Sequence, residues 1–435
     1  MLSIPAVLDR TTAPASQPVR TISLLAPEVV ALPGGGRLHM LRNAALPVVQ
    51  VQVVLPAGQW QQPGSALATL TARGLTEGTR RRTATQIAEH VATYGAFLEN
   101  TASADRASVT LYALRRHLPA LLPLLGELLT EATYPVAETA AAIQRFVQQV
   151  RVDREKNATR ASERFSRNLF GGGHPYSTEI DLDVVAATTP EQLRAFYADQ
   201  YALGRAEIFV CGDVRDEDVA AVAELAGVAT GSTPTAPGPP VYPVPTVVGT
   251  PQQDEIRLPA SMQSAVRVGR LWPGPDHPDT HRLFVLNKIF GGYFGSRLMK
   301  NIREEKGFTY GIYSSITHRE HASSFGVGAD VNADSTEATF TEIYREMSRL
   351  REELVPESEL NTVRQYTAGK FVSETSTIFD QLSKYQYLVL RGLPTDHYDH
   401  LLAAIRTTTA AELRELANEY LTPAAMTEVV VGRRD

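Results

Sequence analysis

The sequence predicts an α+β protein of two homologous halves. Each half is an antiparallel-rich mixed sheet with helices packed on one face, and a proline-rich linker joins them. Three observations lead there. First, residues 234–251 hold Pro234, Pro237, Pro239, Pro240, Pro243, Pro245 and Pro251. That density is incompatible with helix or sheet interior and favours an extended, semi-rigid connector. Second, residues 188–212 fall on 408–432, a shift of 220 with no gap, with Thr188/Thr408, Thr189/Thr409, Leu193/Leu413, Arg194/Arg414, Val210/Val430 and Gly212/Gly432 identical. A common offset across a helix-plus-strand unit is the signature of duplication. Third, strand pairs interleave with helix pairs in the same order on both sides of the linker, as layered α+β halves require. The organisation read this way is an N-terminal segment 1–21, a first repeat 22–233, the linker 234–251 and a second repeat 252–435.

The first half opens with strands over 21–32, 38–42 and 46–55. In the third, Val49, Val51 and Val53 alternate with Gln50 and Gln52, the period of two of a strand with one apolar and one polar face. Helical patterns follow at 65–73 and 83–94, strands at 96–100 and 107–114, and long helices at 118–132 and 136–170. The second half runs strand 264–271, helices 277–290 and 296–305, strands 308–316 and 323–331, and helices 336–353 and 356–390. Thr189 and Thr409 suit helix N-caps, and Pro190 suits the first helical position.

Composition narrows the function classes. The chain has 435 residues, 43% hydrophobic and 21% charged, with a net charge of -6. This is the balance of a globular protein long enough for two or more domains. Net acidity offers no electrostatic footprint for nucleic acid, and the densest basic cluster, Arg80 to Arg82, reads as a solvated turn. Cys211 is the only cysteine. It excludes an intrachain disulfide and reads, within Ile-Phe-Val-Cys-Gly, as a small core side chain. No signal peptide is apparent over residues 1–20, and no apolar run reaches the roughly 18 residues of a membrane span. The expected compartment is the cytoplasm, or the periplasm if a signal has been removed.

Several local stretches carry a family resemblance. They are Gly74-Leu75-Thr76-Glu77-Gly78-Thr79, Tyr94-Gly95-Ala96-Phe97-Leu98 and Leu169-Phe170-Gly171-Gly172-Gly173-His174-Pro175-Tyr176. The most specific is Gly291-Gly292-Tyr293-Phe294-Gly295-Ser296-Arg297-Leu298 followed by Arg303-Glu304-Glu305-Lys306-Gly307-Phe308-Thr309-Tyr310. Together with the doubled order they resemble the insulinase/pitrilysin metallopeptidases, which include the mitochondrial processing peptidases and bacterial relatives. The resemblance runs from residue 22 to 432. Active members of that family carry the inverted zinc motif His-x-x-Glu-His on a first-half helix. Two histidines one turn apart bind zinc, the glutamate works on the bound water, and a distal glutamate completes the ligand set. Here the aligned helix reads Thr69-Leu70-Thr71-Ala72-Arg73. Thr69 and Arg73 replace the histidines, Ala72 the working glutamate, and Gln149, within Gln148-Gln149-Val150, the distal acid. No nearby His-x-x-x-His with a suitable acid restores the set.

The second half keeps what the first lacks. The resemblance implies that Arg303 and Tyr310 face the zinc across the substrate cleft and stabilise the oxyanion formed on attack, as fixed donors do. Without the family, Arg303 reads as an exposed helix charge and Tyr310 as a core strand residue. Other candidates read blandly. His277/His281 sit at a helix start, His318/His321 lie between strands, and His397/His400 lie on solvated helix surface. Gly291, Gly292 and Gly295 match no nucleotide loop and suggest flexible backbone near the cleft. The edge of each sheet is a candidate for receiving peptide as an added strand. Glu99-Asn100-Thr101-Ala102 stands where active relatives offer such an edge.

The expected function is therefore a non-catalytic, substrate-binding subunit of a heterodimeric zinc metallopeptidase acting on peptides. Such a chain is not active alone and holds no metal of its own. The zinc is expected on a paralogous partner carrying His-x-x-Glu-His, to whose site this chain lends Arg303 and Tyr310. The alternative is a structural or assembly subunit with no role in proteolysis, like the core subunits of a respiratory complex.

Overall fold

The computed structural model describes residues 11, 24–32, 35–62, 66–228 and 252–434. The predicted linker and nearly all of segment 1–21 lie outside the described residues. The first half runs β1 (Glu28–Ala31), β2 (Arg37–Arg42), β3 (Val48–Leu55), α1 (Leu67–Gly74), α2 (Ala84–Thr93), β4 (Phe97–Ala102) and β5 (Ala107–Leu114). It continues through α3 (Leu118–Thr130), α4 (Val136–Asp153), α5 (Asn157–Phe170), α6 (Leu182–Ala186), α7 (Pro190–Gln200), β6 (Glu207–Gly212) and α8 (Asp216–Val228). The second half runs β7 (Gln253–Arg257), β8 (Gln263–Trp272), α9 (Thr280–Phe290), a π-helical segment (Met299–Glu305), β9 (Thr309–His318) and β10 (Ser323–Asn332). It closes with α10 (Thr336–Glu352), α11 (Glu357–Ser373), α12 (Ile378–Arg391), α13 (His397–Thr407), α14 (Ala410–Tyr420) and β11 (Thr427–Gly432).

The two sheets share one topology. The first is ordered β1-β2-β6-β3-β5-β4 and the second β7-β11-β8-β10-β9. Beyond the extra edge strand β1 of the first sheet, the last strand of each half lies parallel to an early one, β6 on β2 and β11 on β7, and every other pair is antiparallel. The α+β class with mixed, antiparallel-rich sheets is as the sequence predicts. The 220-residue offset maps α7 onto α14 and β6 onto β11. Thr189 and Thr409 each close a capping box, with Gln192 and Glu412 respectively. Replacing either threonine by alanine leaves helix amides unbonded and is expected to cost about 1 kcal/mol. Thermal denaturation of the two single variants checks this. Gly212 and Gly432 end their strands at φ +112° and +146°, and a Cβ on Gly212 would lie 2.0 Å from the Val48 carbonyl oxygen.

Two predicted long helices are broken. The segment 136–170 turns between α4 and α5 at Arg154-Glu155-Lys156. The segment 356–390 turns between α11 and α12, where Thr377 caps α12 in a box with Asp380. The breaks let the second helix of each pair cross to the other half. Helix α5 packs on β8 and β11 of the second sheet through Ala161 and Phe165 against Ala265, Val429 and Val431. Helix α12 packs on β6 of the first sheet through Leu382 against Leu41, Val54, Phe209 and Cys211.

Each sheet therefore has its own helices on one face and one helix of the other half on the opposite face. The alternation in β3 is thus not a solvent-facing polar side. Gln50 is buried, and Gln52 Oε1 accepts from Gln386 Nε2 of α12 at 2.5 Å. Cys211 is fully buried, and burial pushes its thiol up to about 12, which keeps it protonated and inert. The Arg80–Arg82 turn is more tied than expected. Arg81 forms a two-bond pair with Glu131, and Arg82 pairs with the buried Glu127.

Candidate functional site

Positions 69–73 fold as the middle of α1, which packs on β4, α4 and α7. Thr69 and Arg73 stand one turn apart and so share a face. Ala72 is buried. The Arg73 guanidinium carbon lies 5.1 Å from the Phe146 ring centre on α4. One turn further along α4, Gln149 is exposed, and its Nε2 donates to Asp153 Oδ2 at 2.9 Å. The four positions thus offer a hydroxyl, a methyl, a permanent cation and an amide. That donor set does not fit zinc, which needs neutral imidazole, thiolate or carboxylate ligands. Among the described residues no three His, Cys, Asp or Glu side chains gather to hold a metal ion.

Arg303 and Tyr310 are brought together. The helix expected over 296–305 is π-helical from Met299 to Glu305, with Lys306 N donating to Asn301 O at 3.0 Å, five residues back. Such turns are uncommon and recur at functional sites. Met299 and Ile302 bury the inner side of this turn, and Asn301 Nδ2 ties it to α10 through Glu342 Oε2 and Glu346 Oε1, both at 2.8 Å. Gly307, at φ +68°, then turns the chain into β9. Arg303 Nε donates to the Tyr310 carbonyl oxygen at 2.9 Å, and its guanidinium carbon stands 4.6 Å from the Phe294 ring centre and 5.8 Å from that of Tyr310.

Tyr310 is 93% exposed, which overturns the core reading of that residue. Its phenol has no hydrogen-bond partner among the described residues. Arg303 Nη1 lies 3.9 Å from Glu304 Oε1, a loose contact that leaves the terminal nitrogens able to meet another acceptor, with a phenol donor beside them. This motif positions two donors without using either up.

The sheet edges differ. β9 is an edge strand, but its outer backbone is engaged. Ser314 N donates to Gly291 O at 3.0 Å, Ile312 N to Met299 Sδ at 3.4 Å, and His318 O accepts from Arg391 Nη2 at 2.8 Å. With Tyr310 O taken by Arg303, β9 is closed to an added strand, which corrects the expectation for that edge. Gly291 is what allows the close approach, since a Cβ there would lie 2.7 Å from Ser314 N. This glycine serves packing rather than flexibility. β4 instead pairs with β5 alone. Its Phe97 is exposed, and the strand runs beside α1.

The Phe170-to-Tyr176 stretch has a structural role that the sequence did not disclose. The turn of the β9–β10 hairpin, Arg319 to Ala322, plugs into the first half. His321 stacks on Trp60 with ring centres 3.9 Å apart, and its N–H donates to Tyr176 Oη at 3.0 Å. Tyr176 Oη donates in turn to Asp105 Oδ1 at 2.5 Å. Arg106 forms a two-bond pair with Glu320 at 2.7 and 3.0 Å. Arg319 Nη1 donates to Tyr176 O at 3.1 Å.

The His397/His400 pair is not simply solvated surface. His397 is 9% exposed, and its ring packs 4.6 Å from that of His281. His277 Nδ1 accepts from Asp279 N at 3.1 Å, and α9 starts three residues later than expected.

Comparison with known proteins agrees with this reading of the fold. The sequence profile of the peptidase M16 inactive domain matches residues 187–366. A protein from Streptomyces coelicolor described as an uncharacterized zinc protease is 21% identical over 406 residues, covering 90% of this chain and 86% of that protein. A Mycobacterium tuberculosis protein of the same description is 23% identical over 425 residues, covering 94% of each. Among solved structures, a peptidase M16 inactive domain from Pseudomonas fluorescens superposes with a TM-score of 0.85 at 24% identity, over 94% of this chain and 99% of that one. Among the described residues no helix is long and apolar enough to cross a membrane. The chain is similar to peptidase M16 proteins over nearly its whole length, and its residues 187–366 match the inactive domain of that family.

Proposed function

We propose that this chain is the substrate-binding, non-catalytic subunit of a two-subunit zinc metallopeptidase that cuts or processes peptides. The observation that carries the reading is the anchored guanidinium of Arg303 beside the free, exposed phenol of Tyr310, set against a first half with no zinc ligands. Two donors held in place before the substrate arrives stabilise an oxyanion without reorganisation at the moment of reaction. The scissile carbonyl oxygen is their acceptor. The partner subunit supplies His-x-x-Glu-His, the zinc and the activated water. The β4 edge offers the peptide main-chain pairing, the general mode by which an extended segment joins a sheet. We place the complex in the cytoplasm, with the periplasm as the alternative if a signal precedes the chain, and cell fractionation decides between them.

The test is reconstitution. A paralogue carrying His-x-x-Glu-His, encoded beside this chain, is co-expressed with it, and zinc content and peptide cleavage are measured for each subunit and for the pair. The expected result is one zinc per pair and cleavage by the pair alone. Stoichiometric zinc with cleavage by this chain alone overturns the reading.

A further inference from the structure

The second half carries an open cavity of about 580 Å³ between α9, α11, α12, α13 and the C-terminal end of β9. It stands apart from the Arg303/Tyr310 pair, because the eight residue steps along β9 from Tyr310 to His318 span about 26 Å. Its body is apolar and aromatic, built by Phe284, Ile316, Phe371, Tyr387, Tyr398 and Leu401. That size and lining match the usual small-molecule site, an apolar cleft with a few convergent polar groups.

The polar groups are three imidazoles, the Lys384 ammonium, the hydroxyls of Thr280 and Ser383, and the carboxylates of Glu374 and Asp380. His281, His318 and His397 all line the cavity, one from each of the three histidine pairs in the second half. His397 is nine-tenths buried, yet neither of its ring nitrogens has a hydrogen-bond partner among the described residues. The same holds for His281. His318 spends Nδ1 on Ser323 Oγ at 2.8 Å, which leaves Nε2 over. These ring nitrogens are open to the cavity, where a bound acceptor can pair with them. Burial pushes His281 and His318 down to about 4 and lowers His397 as well. At neutral pH each ring is therefore uncharged and presents one N–H. Lys384 completes the wall. Its Nζ lies 2.8 Å from Glu374 Oε2, and Lys370 Nζ lies 3.6 Å from the other carboxylate oxygen. The Glu374 carboxylate is thus matched by two ammonium groups, and Asp380 Oδ2 is taken by Thr377 N and Oγ1, so the donors left to meet a ligand are the ring N–H groups and the free protons of Lys384.

We propose that this cavity binds a small amphipathic carboxylate. Its apolar body lies against Phe371, Tyr398 and Leu401, and its carboxylate accepts from His281, His397 and Lys384. The site is independent of the proposed role in proteolysis. Two sources share this chemistry: an aliphatic acid, and a peptide C-terminus ending in an apolar residue.

The test is calorimetric titration of the purified full chain. Octanoate and N-acetylphenylalanine represent the two sources, and octan-1-ol and N-acetylphenylalaninamide are their uncharged counterparts. The expected result is saturable one-to-one binding of at least one acid with Kd below about 1 mM, and binding of its neutral counterpart at least tenfold weaker. Tighter octanoate identifies the aliphatic source, and tighter N-acetylphenylalanine the peptide terminus. Leu401→Trp, which fills the apolar end, and the double change His281→Phe with His397→Phe each lower the affinity at least about tenfold, a loss of 1.4 kcal/mol or more. Saturation by neither acid at about tenfold that concentration, or equal binding of an acid and its neutral counterpart, overturns the proposal without recourse to any variant. Wild-type affinity in the folded variants overturns it too.

Discussion

Arg303→Ala in the reconstituted two-subunit peptidase is expected to lower kcat/KM by about 10²- to 10³-fold, the loss that follows removal of one preorganised oxyanion donor. Tyr310→Phe removes one donor while keeping the ring and is expected to fall in the same range. The effect should sit mainly in kcat, since the acceptor becomes fully anionic only in the transition state. Both side chains lie at the surface of a turn whose packing comes from Met299, Ile302 and Asn301, so the melting temperature and the assembly should stay unchanged. The measurement is steady-state cleavage of a peptide by wild-type and variant complexes, with zinc content checked in each. Arg303→Lys is a useful third variant. It keeps the charge but loses the Nε bond to the Tyr310 carbonyl, so a full rescue would argue for charge alone and a poor one for geometry. Turnover unchanged in both Arg303→Ala and Tyr310→Phe would leave the chain as an assembly subunit with no role in proteolysis.

Trp60→Ala is expected to destabilise the chain by about 3–5 kcal/mol, as for other buried large aromatic residues. Trp60 lies between the halves, 6% exposed, with His321 stacked at 3.9 Å and Tyr176 at 5.2 Å. Its removal leaves a cavity under the hairpin turn that carries Arg319 and Glu320. The hydrogen bonds through Tyr176 Oη and the Arg106–Glu320 pair then hold the seam without their apolar backing. Guanidinium denaturation followed by tryptophan-independent circular dichroism measures the loss. A drop below about 1 kcal/mol would show that the seam relaxes to fill the space. The exchange of α5 and α12 makes a clean separation of the halves costly, because parting them uncovers one apolar sheet face on each side. A single cooperative transition is therefore expected in the wild-type chain.

The duplication was legible because its signals are local. A capped helix followed by an apolar strand shows its N-cap, its periodicity and its terminal glycine within 25 residues, and a second copy at a constant offset needs no tertiary knowledge. Thr189 and Thr409 cap as predicted because a capping box is made within one turn. The residue types at positions 69, 72, 73 and 149 were equally legible. Ligand chemistry is a property of residue type, and no packing turns Arg73 or Ala72 into a ligand. The exchanged helices were not legible. Their breaks at Arg154–Lys156 and Glu374–Thr377 carry no proline or glycine, and their apolar faces look alike whether they bury against their own half or the other. The polar reading of Gln50 and Gln52 failed for the same reason, since alternation reports a difference between faces and not what covers each one. The π-turn under Arg303 escaped as well. Its hydrophobic spacing over seven residues differs too little from an α-helix to be read, and the anchoring by Glu342 and Glu346 comes from 41 and 45 residues away.

The histidines mark the same boundary. Three pairs were visible along the second half, and each read alone is unremarkable. Only the tertiary structure brings His281, His318 and His397 onto one cavity, because α9, β9 and α13 are joined by packing and not by sequence spacing. By itself the sequence determined the α+β repeat and the residue chemistry at positions 69, 72, 73 and 149, all properties of local pattern and residue type. The tertiary structure alone decided which sheet faces are shared, which edge is closed, that Arg303 is anchored beside an exposed Tyr310, and where a second cavity lies. Those depend on contacts between residues far apart in the chain, whose free energy no local pattern records.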